Sequence, residues 1–94
     1  MTYNLAFTES ALKEWKKLGH TVQEQFKKKL RERLENPRVP ASQLHGRKDQ
    51  YKIKLRGAGY RLVYRVDDDI ITVVVVGVGK RENDEIYRAT QLRS

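Results

Sequence analysis

The sequence predicts an α+β fold, in which an antiparallel helix hairpin packs on a mainly antiparallel, four-stranded sheet. Three observations predict it. Apolar residues recur at helical spacing between residues 8 and 35, they alternate or run continuously between residues 51 and 78, and a proline-containing loop separates the two regions. With 94 residues the chain has room for one modest core, so we expect a single domain over residues 1–94.

A short strand and a first helix open the chain. Residues 3–7 alternate weakly and are expected to form an edge strand. Thr8 can cap the first helix, and Gly19 is expected to end it. The stripe that should face the core in this helix consists of Ala11, Leu12, Trp15 and Leu18.

The second helix is predicted to begin at a capping box, in which Glu24 reaches back to the backbone amide of Thr21. It should stop before Asn36 and Pro37, because the residue before a proline disfavours helical geometry. Its apolar stripe, at steps of four residues, is Val22, Phe26, Leu30 and Leu34. Because only two or three residues join the two helices, they should form an antiparallel hairpin.

A loop and a β-hairpin follow. Residues 36–50 contain both prolines and few apolar side chains, which predicts a loop that crosses to the sheet. In residues 51–66, YKIKLRGAGYRLVYRV, apolar side chains alternate with others on both sides of Gly57, Ala58 and Gly59, which supply the backbone freedom for a reversal. Pairing these strands collects four cations on one surface, with no carboxylate among them: Lys52, Lys54, Arg61 and Arg65.

The final strand and helix complete the predicted fold. Asp67, Asp68 and Asp69 turn the chain into residues 70–78, which are apolar on both faces and typical of a central strand. Asn83 can cap a short last helix. The sizeable hydrophobes of that helix are Ile86, Tyr87 and Leu92, so we expect it to dock lightly. The helix hairpin should then cover one sheet face and leave the other for function.

Composition limits the classes of partner. Lys and Arg number 20 against 12 acids, for a net charge of +8. This surplus favours nucleic acid, an acidic protein or, less readily, an anionic membrane, and a merely soluble surface is the alternative. The absence of Cys excludes disulfides and zinc–thiolate sites. No secretory signal pattern is visible and the longest apolar run is too short to span a bilayer, so we expect a cytoplasmic protein.

Most side-chain sets used in catalysis are missing. His20 and His45 each stand alone in predicted turns or loops and are expected at the surface. The three consecutive aspartates indicate a turn rather than a metal site, so we expect neither metal nor cofactor. Gly77 and Gly79 lack the rest of a nucleotide-binding pattern.

The residues that could carry chemistry are five cations and one aromatic: Lys52, Lys54, Arg61, Arg65, Arg81 and Tyr87. The two lysines share a strand face at a spacing of about 7 Å. Each disfavours the charge of the other, so the pKa of one should fall below its ordinary value of about 10.4, which makes it a candidate general base. Arg61 and Arg81 suit charge stabilisation on phosphoryl oxygens, and Tyr87 suits stacking on a base or orienting the attacking group.

These residues fit RNA strand cleavage without a metal. The neighbouring 2′-hydroxyl would attack the phosphate and leave a cyclic phosphate and a free 5′-hydroxyl. The sequence offers no obvious acid with a pKa near about 7, so a free enzyme should be slow unless a partner holds the RNA in line. A non-catalytic RNA- or DNA-binding module fits the same residues.

Several segments resemble the RelE toxins of type II toxin–antitoxin pairs. They are YKIKLRGAGYRLVYRV, the VGVGKR that follows it with a tyrosine shortly after, ALKEWKKLG before the Lys-rich second helix, and ENPR. The resemblance covers nearly the whole chain and implies a RelE/ParE-type α+β fold, related to small microbial ribonucleases. It also implies ribosome-dependent mRNA cleavage in the A site, silencing by a cognate RelB-like antitoxin, and repression of the operon by the pair, with operator DNA bound only through the antitoxin complex.

The resemblance also implies roles for single residues. Lys54 matches the proposed general base, Lys52 a charge stabiliser, and Arg61 the arginine that holds the phosphate and transition state. Arg81 matches the residue proposed as acid or leaving-group stabiliser, and Tyr87 the aromatic that stacks on and orients the mRNA. The Glu/His acid–base set of some sister toxins is missing here, which supports the ribosome-dependent branch.

Further basic residues are candidate contacts to RNA, including small-subunit ribosomal RNA, and a solvated helix face is the alternative for those on the second helix. They are Arg65, Lys80, Lys27, Lys28, Lys29, Arg31, Arg33 and Arg47. Two rival functions remain open: a ParE-like toxin of the same fold that poisons a topoisomerase, and a plain basic nucleic-acid-binding module.

Overall fold

The computed structural model of the chain describes residues 2–80 and 85–93. It confirms the predicted α+β class and the predicted order of elements. The elements are β1 (Asn4–Phe7), α1 (Glu9–Lys16), α2 (His20–Glu35), a 3-10 turn (Pro40–Ser42), β2 (Gln50–Leu55), β3 (Tyr60–Asp67), β4 (Thr72–Lys80) and α3 (Glu85–Arg93). Within the described ranges, none of the helices combines the length and the apolarity that crossing a bilayer requires.

The four strands form one sheet in the order β1-β4-β3-β2. β1 runs parallel to β4, whereas the β4–β3 and β3–β2 pairs are antiparallel. β4 is therefore an interior strand, and its residues from Thr72 to Val78 are buried. This confirms the prediction that a strand apolar on both faces lies at the centre. It begins at Thr72 rather than at residue 70, because Ile70 and Ile71 lie in the preceding turn, where they are 59% and 37% exposed.

The helix hairpin covers one face of the sheet, as predicted. Phe26 and Leu30 of α2 and Ala11 of α1 are fully or almost fully buried against side chains of all three long strands. Burying a side chain the size of Phe26 or Leu30 contributes roughly 1.5–3 kcal/mol to folding. Leu12, by contrast, points away from this core and is 38% exposed.

Two helix ends differ from the sequence prediction. α1 starts as predicted, with the amide of Ala11 donating to Thr8 Oγ1 at 3.1 Å, but it ends at Lys16, before Gly19. α2 begins at His20 with Gly19 as its N-cap and no side-chain capping bond. The predicted capping box is therefore wrong. The extended Gly19 lets the helix start two residues earlier than the predicted Thr21 cap, and the carboxylate of Glu24 lies 3.5 Å from Lys27 Nζ instead.

The second face of the sheet carries a smaller apolar cluster of Leu44, Val63, Val74, Val76 and Ile86. A β-bulge in β4 makes this cluster continuous, since the register passes from Gly77, opposite Val63, to Val75, opposite Tyr64. α3 lies on this cluster with Ile86 5% exposed and Thr90 fully buried. The predicted light docking of the last helix is therefore wrong, and α3 covers part of the face that was expected to stay open. The Asn83 cap of this helix lies outside the described residues.

The turns at the two ends of β3 differ in chemistry. The four residues between Leu55 and Tyr60 close the β2–β3 hairpin, with the amide of Gly59 donating to the carbonyl of Leu55 at 2.9 Å. Gly59 has a φ of 72°, a conformation that strongly favours glycine. At the other end, Asp68 accepts hydrogen bonds from Tyr3 and Arg38, each at 2.6 Å. The aspartates thus stabilise a turn, as the sequence predicts.

Candidate active site

Lys52, Lys54 and Arg61 lie on the same face of the sheet as α3. Lys54 is directly opposite Arg61 in the register, and Lys52 is opposite Val63, two residue pairs further along. Directly opposite residues of an antiparallel pair project to the same face, so the three cations are near neighbours. The sequence of both strands from Gln50 to Val66 contains no Asp or Glu. From Gln50 to Val66 the hairpin therefore presents concentrated positive charge, and its first carboxylate is that of Asp67, the last residue of β3.

The pKa of Lys54 lies below its ordinary value. The main cause is the positive charge of Lys52, followed by desolvation and by the charge of Arg61, with a smaller effect of Arg56. This agrees with the prediction that one lysine of the pair would titrate low. A lowered pKa increases the neutral fraction of the amine, which is the form that accepts a proton.

Tyr87 joins this cluster from α3. The guanidinium carbon of Arg61 lies 5.1 Å from the centroid of the Tyr87 ring, within the range of a cation–π interaction. The neighbouring Ile86 is nearly buried and packs over Gly79, where an added Cβ would meet its Cδ1 at 3.6 Å. The packing of Ile86 against Gly79 thus brings α3 onto the sheet, with Tyr87 beside Arg61.

Lys80, the last residue of β4, does not join the cluster. Lys80 is opposite Tyr60, which packs against the core under the helix hairpin. Alternation along the strand therefore places Lys80 on the opposite side of the sheet from Arg61. Arg81, which follows it, lies outside the described residues, so its role stays a prediction.

Arg65 lies on the same face of the hairpin as Lys52 and Lys54. It is opposite Gln50, and the Lys54–Arg61 pair lies towards the other end of the two strands. It borders a groove of about 460 Å³ whose lining includes Asp67, Asp68 and Asp69. The structure therefore places Arg65 on the surface that the strand pattern predicts, at the end of that surface where the aspartates of the turn begin.

A basic cavity of about 670 Å³ adjoins Lys54 between α2 and the turn of the β2–β3 hairpin. Lys28 and Lys29 line it from α2, and Arg56 lines it from the turn. A second cavity, of about 130 Å³, lies on the Arg61 side of Lys54 and also includes Arg56. Lys54 therefore stands between the helix cations and the strand cluster. Arg56 is not among the residues predicted to be functional, although it follows Lys52 and Lys54 at the same two-residue spacing.

Lys27 and Arg31 remain exposed on α2, although Lys27 lies 3.5 Å from Glu24. Arg33 does not. Its guanidinium donates to the hydroxyl of Tyr64 at 2.8 Å, to Ser42 Oγ at 3.1 Å and to the carbonyl of Lys52 at 3.2 Å. Arg33 thus ties α2 to the sheet, and its predicted role as an RNA contact is corrected, because its donors are engaged inside the protein.

Arg47 is likewise turned inward. Its guanidinium donates to Gln50 and Thr90 at 2.9 Å and to the carbonyl of Tyr87. Burial lowers the pKa of Arg47 from its ordinary value. The prediction of Arg47 as an RNA contact is therefore corrected too. No local pattern distinguishes these two arginines from exposed ones, because most of their acceptors are distant in the sequence, such as Tyr64 for Arg33 and Thr90 for Arg47.

Comparison with known proteins identifies the family of the chain. Residues 5–85 match the family model described as ParE toxin of type II toxin-antitoxin system, parDE. The chain is 61% identical over 87 residues to the mRNA interferase toxin RelE of Escherichia coli strain K12, and the alignment covers 93% of this chain and 92% of that protein.

Solved structures agree with this assignment. A doubly substituted variant of the E. coli toxin RelE in the free state matches with a TM-score of 0.92 at 57% identity, over 99% of this chain and 98% of that one. A chain of the intact E. coli RelBE toxin-antitoxin complex matches with a TM-score of 0.82 at 60% identity, over 86% of this chain and 99% of that one. With the fold, the sequence identity and the family model in agreement, the chain belongs to the RelE/ParE family of toxins of type II toxin–antitoxin systems.

Proposed function

We propose that this chain is a ribosome-dependent endoribonuclease that cleaves mRNA in the ribosomal A site and thereby halts translation. The observation that supports it best is the cluster of Lys52, Lys54 and Arg61, which Tyr87 joins through its contact with Arg61. The similarity to a protein named mRNA interferase toxin RelE supports the same substrate.

The chemistry begins at Lys54. Its neutral amine accepts the proton of a ribose 2′-hydroxyl, the 2′-oxygen bonds to the adjacent phosphorus, and the bond from phosphorus to the 5′-oxygen breaks. The products are a 2′,3′-cyclic phosphate and a 5′-oxygen that takes up a proton. Lys52 and Arg61 stabilise the negative charge that develops on the phosphoryl oxygens. Because cations of the protein carry this charge, the proposed reaction needs no metal ion.

The remaining steps fall to Arg81 and Tyr87. We assign Arg81 to the leaving 5′-oxygen, as acid or as leaving-group stabiliser. Tyr87 would stack on an mRNA base and hold the substrate beside Arg61. An arginine is a weak acid, so positioning has to supply much of the rate enhancement. In this proposal the ribosome provides that positioning by holding the codon in line.

The basic residues of this chain and the complexes of its relatives indicate which partners it would bind. The lysines that line the cavity next to Lys54, together with Lys27 and Arg31, would contact small-subunit ribosomal RNA. A RelB-like antitoxin would bind the toxin through an acidic or amphipathic segment, and the pair would repress its own operon. The occurrence of an E. coli relative in a toxin-antitoxin complex supports this partner. Translation occurs in the cytoplasm, where we expect the protein to act.

The test compares mRNA cleavage by the purified protein with and without programmed ribosomes, with the cut sites mapped by primer extension. We expect cuts only with ribosomes, within the A-site codon, and their loss in Lys54→Met. Lys48→Met is the matched control, because it removes the same charge from the acidic groove and should cleave normally. Equal cleavage of naked RNA would instead indicate a free ribonuclease.

A ParE-like toxin that poisons a topoisomerase is the second candidate, because the matching family model is described as a ParE toxin. It predicts intact mRNA in both reactions and inhibition of DNA supercoiling by folded protein. It also predicts that Lys54→Met has no selective effect, since such an activity does not require a proton acceptor. A basic nucleic-acid-binding module would show binding without either activity.

A further inference from the structure

Arg47 makes three hydrogen bonds that join three separate parts of the fold. Nη1 donates to Gln50 Oε1 and to Thr90 Oγ1, both at 2.9 Å, and Nη2 donates to the carbonyl of Tyr87. Gln50 is the first residue of β2, whereas Tyr87 and Thr90 belong to α3. One guanidinium in the loop before β2 therefore links α3 to the strand that carries both active-site lysines.

The α3 side of this link is buried. Thr90 is fully buried, and its hydroxyl donates to the carbonyl of Ile86 at 2.8 Å while it accepts from Arg47. Gln50 is only 5% exposed. Buried polar groups that lose a partner are destabilised by about 1–3 kcal/mol each, so this arrangement strongly favours one placement of α3.

The placement of α3 affects where the ring of Tyr87 lies. The backbone carbonyl of Tyr87 accepts from Arg47, and the ring of the same residue lies 5.1 Å from the guanidinium carbon of Arg61. A helix fixed at its backbone on one side of Tyr87 constrains where the ring projects on the other side. Ile86 and, less deeply, Tyr87 hold α3 against the sheet by apolar packing, and the hydrogen bonds of Arg47 add a directional constraint on how the helix is rotated.

We propose that Arg47 is a positioning residue, which holds α3 through Tyr87 and Thr90 so that the Tyr87 ring stays over Arg61 and in reach of the mRNA. The functional half of this inference rests on the proposed function, whereas the placement of the ring does not. Arg47 would then act on the substrate only through Tyr87 and would make no contact with RNA.

The first experiment measures the position of the ring directly. Nuclear Overhauser effects between the Tyr87 ring and the Arg61 side chain are recorded in the free protein, with Tyr87→Phe used for assignment. We expect Arg47→Met, which keeps the apolar stem, to weaken these effects. The contacts between Tyr51 and Tyr64, whose ring centroids are 5.6 Å apart, should remain as an internal control.

Three further variants sharpen the measurement. Thr90→Val removes one acceptor of Arg47 and is a milder perturbation should Arg47→Met fold poorly. Thr90→Ser keeps the hydroxyl and should retain the Tyr87–Arg61 contact. Arg38→Met is the matched arginine control, because the hydrogen bonds of Arg38 within the described residues go to Asp49, Tyr51 and Asp68, none of which belongs to α3.

The second experiment is a double-mutant cycle on ribosome-dependent cleavage. Arg47→Met should slow single-turnover cleavage about tenfold in the wild-type background and have almost no effect in Tyr87→Ala, since both changes remove the same contribution. Arg47→Lys, which keeps the charge but cannot span all three acceptors, should restore part of the rate. Arg38→Met should cleave like the wild type.

The outcomes separate the two proposals. If Arg47→Met slows cleavage equally with and without the Tyr87 ring, Arg47 acts independently and the inference is overturned. Unchanged Tyr87–Arg61 contacts in both Arg47→Met and Thr90→Val would overturn it as well. If the wild-type protein cleaves no mRNA, the proposed function fails, yet the magnetic resonance result still decides whether Arg47 positions Tyr87.

Discussion

The guanidinium carbon of Arg61, in β3, lies 5.1 Å from the ring centroid of Tyr87, in α3. A cation held over an aromatic face gains roughly 0.5–2 kcal/mol, depending on how far the pair is shielded from water. Here the pair joins the residue proposed to hold the phosphate to the residue proposed to stack on the base. Each of the two therefore helps to orient the other before the substrate arrives.

The ring face of Tyr87 should matter more than its hydroxyl. Stacking of a base on an aromatic side chain contributes about 1–3 kcal/mol, so Tyr87→Ala should slow A-site cleavage by roughly 10- to 100-fold. Tyr87→Phe keeps the ring and should stay within a few-fold of the wild type. Single-turnover cleavage on programmed ribosomes measures both. Equal losses in the two variants would assign a chemical role to the hydroxyl instead.

The pH dependence of cleavage should depend on Lys52. Lys54 is a base only when neutral, so the rate should rise with pH up to the lowered pKa of Lys54 and then level off. Lys52 is the largest cause of that lowering. In Lys52→Met the pKa of Lys54 returns towards its ordinary value, which moves the rising limb to higher pH and reduces the rate at neutral pH.

Arg56→Met is the control for this experiment. Arg56 is the last and smallest of the causes that lower the pKa of Lys54, so its removal should shift the limb less than Lys52→Met. Rates of the chemical step are measured as a function of pH at constant ionic strength. An unshifted limb in Lys52→Met, with only a uniform loss of rate, would show that Lys54 is not the titrating base.

Much of the site can be predicted from sequence because it depends on short-range rules. Alternation along β2 and β3 is set by local geometry, and the short reversal at Gly59 fixes the register. Together they place Lys54 opposite Arg61 without reference to the rest of the chain. The main cause of the lowered pKa of Lys54, the charge of Lys52, then follows from the spacing of the two lysines. The burial of Phe26 and Leu30 likewise follows from helical periodicity.

The features that the sequence does not predict depend on contacts between residues that are distant in sequence. Arg31 and Arg33 are alike in the sequence, yet Arg33 turns inward because the Tyr64 hydroxyl and Ser42 lie beneath it. Thr90 is polar, so the sequence suggests exposure, and its burial requires the donor that Arg47 supplies. The bulge at Val76 also leaves no local signal, although it makes the cluster beneath α3 continuous.

The two neighbouring arginines of α2 should separate folding from binding. Arg33 donates to the hydroxyl of Tyr64, which in turn donates to the carbonyl of Pro37 at 2.7 Å. Burial raises the pKa of Tyr64, so this hydroxyl keeps its proton. Arg33→Met should therefore lower the free energy of unfolding by about 1–3 kcal/mol, as measured by denaturant titration.

Arg31→Met is the matched variant, since Arg31 lies two residues before Arg33 on the same helix and its side chain is exposed. It should leave the free energy of unfolding within about 0.5 kcal/mol of the wild type. It should also reduce the salt dependence of ribosome binding by roughly one phosphate contact, which Arg33→Met should leave unchanged. A salt slope altered by Arg33→Met alone would return Arg33 to the set of RNA contacts.

The β2–β3 turn should tolerate a side chain at one glycine and resist it at the other. Neither Gly57 nor Gly59 has a heavy atom within 4 Å of an added Cβ, so any effect comes from the backbone and not from a clash. Gly59 has a φ of 72°, where a residue with a Cβ is disfavoured by about 1–2 kcal/mol. Gly59→Ala should lower the free energy of unfolding by that amount, whereas Gly57→Ala should be neutral or slightly stabilising.

The same pair of variants tests how the turn supports the site. Because Gly59 directly precedes the Tyr60–Leu55 pair, relaxing its backbone should disturb the adjacent Arg61–Lys54 pair. Gly59→Ala should thus slow cleavage at temperatures where the protein is still fully folded, and Gly57→Ala should not. Thermal denaturation gives the first comparison and ribosome-dependent cleavage the second. If Gly59→Ala lowers stability but cleaves at the wild-type rate, the lysine–arginine pair keeps its geometry without the turn, and strand pairing alone suffices to hold it.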